Sequence, residues 1–185
     1  MNYFGESFVA GVWGRDMPPL PKWITWKHMP LSDKHCEECL SLDNRWFAKE
    51  NSPSWPHHAY CHCIKIPLSY NEVLAKAEAT SDYRKYDPYL LGEGNGGGNG
   101  KRELFNSWGY FVEDAQWLRN EIEQQALQKY VEGEYRLGTL DDYGQRISIR
   151  VVLPRKEGNG TTMFLTGWMV EPNGIIRLIT PYGGK

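Results

Sequence analysis

Between residues 146 and 153 the chain alternates: Ile147, Ile149, Val151 and Leu153 are apolar, and Arg146, Ser148 and Arg150 separate them. A two-residue period of this kind predicts a half-buried β-strand. Weaker patterns predict strands over 134–140 and 161–170, and a fourth over 175–180 follows Pro172-Asn173-Gly174, a strong hairpin signal. Upstream the period becomes helical. Ala115, Leu118, Ile122, Ala126 and Tyr130 recur at spacings of three and four, which predicts a helix from Glu113 or Asp114 to Val131, stopped by Gly133. A shorter helix over 101–108 ends at Gly109. Asn71 is placed to cap another that runs to Thr80, with Val73, Leu74 and Ala77 on one face.

The first 35 residues hold no period for long. Trp13, Pro18, Pro19, Pro21 and Pro30 imply irregular packing, with 23–28 as a short strand, and 64–67 is a second extended piece. The glycine run from Gly92 to Gly100 reads as a flexible loop or linker. It matches GxGxxG at Gly92, Gly94 and Gly97, but no strand precedes it and the composition alone generates the match, so a dinucleotide site is rejected. Helices followed by an antiparallel meander predict an α+β fold: an irregular N-terminal module, then two helices packed on a small antiparallel sheet. The divisions fall at 1–70, 71–100 and 101–185.

Composition changes this picture little. A net charge of −2 gives no global electrostatic pull toward nucleic acid or membrane. Residues 134–185 are locally different, with seven Lys/Arg against five acids, which predicts a mildly basic C-terminal face. No apolar run reaches the roughly 18 residues that a bilayer span needs. The N-terminus lacks the basic start and apolar core of a signal peptide, so the expected product is cytosolic or exported by another route.

The cysteines change it more. All four lie between Cys36 and Cys63, as Cys36-x-x-Cys39 and Cys61-x-Cys63, with His57, His58 and His62 among or beside the second pair. A tight CxxC turn aims two sulfurs at one point, and thiol and imidazole donors at this spacing point to a closed, structural Zn²⁺ site rather than to disulfides. Cys36 and Cys39 form one pair. The full shell is Cys36, Cys39, His58 and Cys61, or three cysteines plus one histidine with Cys63 included. A closed shell has no open position and hydrolyses nothing.

These residues carry a resemblance. Asp33-x-x-Cys36-x-x-Cys39-x-x-Leu42-Asp43-x-x-x-Phe47, then Pro56-x-His58-x-x-Cys61-x-Cys63, resembles the C-terminal motif of the phage Mu-type minor head protein, or head-morphogenesis, family. That motif reads C-x-x-C-x-x-L-D-G-x-x-F and then P-x-H-P-N-C-R-C. Asn44 stands in place of the glycine, Ala59-Tyr60 in place of Pro-Asn and His62 in place of Arg; every potential ligand is kept. The resemblance implies a part in phage head assembly, or carriage of a C-terminal effector, in the bacterial cytoplasm or the virion, with phage structural proteins or an immunity protein as partners.

Residues 87–185 are similar to an uncharacterised bacterial domain that ends polymorphic toxins. The likeness rests on Tyr89-Leu-Leu91, Lys101-x-x-x-Phe105-x-x-x-Gly109-Tyr110, Tyr143-Gly144, Gly167-Trp168 and Leu178-x-Thr180-x-Tyr182. Its helix–helix–sheet order is similar to ribonucleases of the barnase and colicin type, which implies an RNA substrate, although the pattern brings no established catalytic residue. Metal-independent RNA cleavage needs a group to orient or deprotonate the 2′-hydroxyl and donors for the developing phosphorane charge. Lys101, Tyr143, Arg150, Thr180 and Tyr182 are the candidates of those types, and no histidine follows His62 to serve as acid or base. The rival expectation is a non-catalytic chain that binds partners during head assembly. Asn159-Gly-Thr161 is set aside as a glycosylation acceptor, and Asp141-Asp142 reads as a turn.

Overall fold

A computed structural model describes residues 22–28, 36–92 and 100–182. The tryptophan- and proline-rich expectation for residues 1–21 and most of the glycine run lie outside them. The described residues adopt an α+β fold of four α-helices and two sheets. β1 (Trp23–His28) is the centre of a three-stranded sheet, flanked antiparallel by β2 (Trp46–Ala48) and β3 (Cys63–Leu68). Helix α1 (Glu37–Leu42) sits between β1 and β2 in the chain, and α2 (Tyr70–Lys76) follows β3. The larger sheet has the order β4-β8-β7-β6-β5, from β4 (Glu78–Thr80), β5 (Arg136–Asp141), β6 (Gly144–Pro154), β7 (Thr161–Val170) and β8 (Ile175–Thr180). Helices α3 (Lys101–Asn106) and α4 (Ala115–Glu132) precede its meander.

The periods of the sequence explain the main core. The α4 stripe, Ala115, Leu118, Ile122, Ala126 and Tyr130, is fully buried, as are Ile149, Val151 and Leu153 on the facing side of β6. Each such aliphatic or aromatic side chain contributes roughly 1.5–3 kcal/mol by leaving water. Gly133 takes φ +76 and closes the helix, its N–H reaching the carbonyls of the last turn.

Two expectations need correction. The helix expected to run from Asn71 to Thr80 is instead capped by Ser69 and stops at Lys76. Ser69 accepts from the Glu72 N–H while the Glu72 carboxylate accepts from the Ser69 N–H at 2.8 Å, a reciprocal box that sets the start. Glu78–Thr80 then pairs in parallel with β8, and this non-local ladder overrides local helix propensity. Leu74 accordingly points outward and is half exposed, while Val73 is buried.

The three-stranded sheet divides its side chains between two cores. On one face Trp23, Trp46, Ala48 and Leu68 join the main core, where the Trp23 ring meets Tyr130 edge-on at 5.4 Å. On the other face Trp26, Phe47 and Cys63 pack with Cys39 into a second, smaller core. The two-residue strand period performs this division, because alternate side chains leave opposite faces. Gly174, at φ +87, lies so close to the Trp46 ring that a Cβ there would stand 2.5 Å from it.

β5 pairs with β6 only as far as Ser148, so among the described residues β6 runs on past its neighbour with no further strand on that edge. Helix α4 covers that edge with side chains. Gln125 both donates to the Val152 carbonyl at 2.7 Å and accepts from the Val152 N–H at 3.0 Å, and Lys129 Nζ donates to the Arg150 carbonyl at 2.6 Å. Among the described residues no helix is long and apolar enough to cross a membrane.

Candidate metal centre

The smaller core brings five metal-ligating side chains together. Cys36 is the N-cap of α1, and its sulfur accepts from the Cys39 N–H at 3.4 Å, so the first turn of the helix folds around one thiol and presents the next. Cys39 faces inward and is buried. His58 and Cys61 occupy a tight turn closed by the Cys61 N–H donating to the His58 carbonyl at 3.2 Å. Cys63 opens β3, so the Cys61-x-Cys63 spacing of extended chain sends both sulfurs the same way.

The donor atoms form two triads that share one member. Cys36, Cys39 and His58 offer ligand atoms within 4.8 Å of one another, and so do Cys39, Cys61 and Cys63. Cys39 Sγ stands 3.1 Å from His58 Nε2 and 3.8 Å from Cys61 Sγ. Two sulfurs at the usual Zn–S length on a tetrahedral ion would be about 3.8 Å apart. His58 Nδ1 lies 2.7 Å from the Ala59 carbonyl. A proton placed on Nδ1 for that bond leaves the Nε2 lone pair facing the sulfurs, the tautomer a metal requires. All four cysteines are free thiols.

Backbone donors prepare two of these thiols for ionisation. The Cys39 N–H holds the Cys36 thiol below its ordinary value. Burial raises Cys61, but N–H donation from Cys63 and His57 outweighs it and brings that thiol to about 7. Burial, with the crowding thiols of Cys63 and Cys61, pushes Cys39 upward, and the Ala59 carbonyl raises His58. Crowded sulfurs in an apolar pocket want a cation among them. Around the cluster the Trp55 indole donates to the Cys63 carbonyl, and His57 lies 3.3 Å from Glu38. His62 is exposed, and His28 and His35 carry no described side chain.

The five residues nominated for catalysis are distributed along the larger domain. Lys101 opens α3, its ammonium 3.0 Å from the Tyr89 hydroxyl. Tyr182 packs against Phe105 of the same helix with ring centroids 6.3 Å apart, and the Thr180 hydroxyl donates to the Tyr182 carbonyl at 3.0 Å. Arg150 projects from the middle of β6 and is exposed. Tyr143, 77% exposed, lies in the β5–β6 turn, seven residues and hence roughly 23 Å of strand from Arg150. The structure brings Thr180 and Tyr182 together, places Lys101 on the helix that Tyr182 covers, and leaves Tyr143 in the β5–β6 turn. Lys129 and Arg136, which flank Arg150, carry no sequence signal beyond a scattered positive charge.

The family model described as a domain of unknown function, DUF6883, matches residues 74–185. No curated protein and no solved structure matches the chain.

Proposed function

Because the chain belongs to the DUF6883 family, a domain of unknown function, we propose its function from its own side chains: the N-terminal cluster holds one structural Zn²⁺. The observation that carries this reading is the pair of donor triads meeting at Cys39, with His58 Nε2 turned toward the sulfurs. Cys36, Cys39 and Cys61 supply three ligands, and His58 or Cys63 the fourth. Such a shell is closed, so the ion serves folding and activates no water. Elemental analysis of the purified chain should give about one zinc per chain, and a chelator should unfold the N-terminal sheet, since metal-binding energy there is folding energy on the order of 10 kcal/mol. Metal-free protein with unchanged melting behaviour sinks the reading.

We propose further that residues 101–185 act as a toxin-type effector carried by a phage- or prophage-related protein, cleaving RNA without a metal. What supports this is the resemblance of both halves to such proteins, and the packing of Tyr182, hydrogen-bonded to Thr180, on helix α3, which Lys101 opens. An ammonium there would stabilise phosphorane charge and a phenol or hydroxyl would orient the 2′-oxygen. Induced expression in bacteria should arrest growth and degrade RNA, and Lys101→Ala or Tyr182→Phe should relieve both. Normal growth with intact RNA would favour the rival role, a non-catalytic part in head assembly.

A further inference from the structure

Among the described residues, helices cover one face of the larger sheet. Where β5 parts from β6, the structure has an open cleft of about 270 Å³ bordered by Lys129, Arg136, Ser148 and Arg150, with Leu165 as its apolar floor. Arg136 pairs with Ser148 across the strands, and Arg150 is two residues further along the same face. The two arginines are therefore diagonal neighbours, about 7–8 Å apart at their Cα atoms. Lys22 extends the positive side, its ammonium 3.4 Å from the Gly133 carbonyl at the cleft margin. Among the described residues Glu134 is the one acid lining it.

Several arginines elsewhere in the chain are neutralised. Arg84, Arg119, Arg146 and Arg177 each form an ion pair with a carboxylate. Among the described residues Lys129, Arg136 and Arg150 have no carboxylate partner; Lys129 is bonded to a carbonyl, which holds its position without neutralising it. Unpaired guanidinium forks beside a serine hydroxyl match the geometry of phosphate oxygens. Two forks on adjacent strands, rather than one closed socket, suit consecutive phosphates of a strand better than a single ion. Beyond Leu165 the open face continues to Met163, half exposed, so an apolar surface lies beside the cations for bases to pack on.

We propose that this cleft binds the phosphodiester backbone of a single nucleic-acid strand through Lys129, Arg136 and Arg150. The proposal deepens the effector reading, on which it rests for RNA as the substrate, by giving the strand a place to lie. It makes Arg150 a binding residue, distinct from the groups at helix α3.

The test is fluorescence anisotropy of the zinc-loaded full chain with a short labelled single-stranded RNA, with DNA of the same sequence, and with inorganic phosphate as competitor. Three phosphate contacts predict an affinity that falls with salt at a log–log slope of about −2. Arg136→Gln combined with Arg150→Gln should weaken binding by about tenfold and flatten that slope, at roughly threefold per cation. Arg84→Gln, on a separate and ion-paired surface, should change nothing. RNA and DNA arms show which backbone is preferred. Absence of strand binding at low salt, displacement of nothing but phosphate, or a double variant with unaltered affinity and slope overturns the proposal. Intact binding without RNA cleavage or growth arrest would remove the effector reading and leave the cleft standing; cleavage undiminished by the double variant would do the reverse.

Discussion

Cys39 is the one donor common to both triads, and with Cys63 it is one of the two buried members of the five. Five donors compete for four places, so the ligands are not equivalent. Cys39→Ser breaks both triads at once and should leave no stoichiometric zinc. Cys63→Ser leaves Cys36, Cys39, His58 and Cys61, a complete set, and should keep close to one zinc per chain. Metal analysis together with competition against a chromophoric chelator separates the two variants; equal loss from both would make Cys63 an obligatory ligand. The donors are legible in the sequence because CxxC and CxC spacings are local geometry. The sharing of Cys39 is not legible, since it depends on how the His58 turn folds back over α1, across 19 residues of chain.

At the scale of elements, strands and helices whose side chains all face one partner were readable. The β6 alternation and the α4 stripe are of this kind, because a single buried face leaves a single period. β4 was not readable. Three residues, Glu78, Ala79 and Thr80, have no period of their own and become a strand by pairing with β8, almost 100 residues away. The capping box that ends the helix problem upstream gives a test. Ser69→Ala should cost about 1 kcal/mol of stability at neutral pH, measured by urea unfolding. The Ser69 backbone N–H, and then its hydroxyl, hold the Glu72 carboxyl below its ordinary value in the folded chain. A depressed folded value means stabilisation that is present above the unfolded carboxylate value, about 4.3, and lost as pH falls through the lower folded one. The difference between wild type and Ser69→Ala should therefore shrink in acid, and a gap that widened there would contradict the capping box.

For the whole molecule, the three-stranded sheet joins the cysteine–histidine cluster to the main core. Its outer face carries Trp26, Phe47 and Cys63, and its inner face carries Trp23 and Trp46 into the main core. Removing the proposed ion should thus be felt beyond the N-terminal residues, by the Trp23–Tyr130 contact. The joint itself can be probed without touching a ligand. Gly174→Ala places a methyl group against the Trp46 ring at a positive φ, and should cost roughly 2–4 kcal/mol. A thermal melt followed by tryptophan fluorescence reads it, and a neutral result would mean that the two sheets meet less closely than Trp46 and Gly174 do.

Gln125 has a consequence for behaviour in a crowded solution. By offering both an amide donor and an amide acceptor to Val152, its side chain answers the strand edge as a neighbouring peptide would. An unanswered edge recruits the next available backbone, usually that of another chain. Gln125→Ala should leave the fold and the melting temperature almost intact while making the protein sticky. Its signature is a light-scattering signal that grows with concentration, from molecules that each remain natively folded.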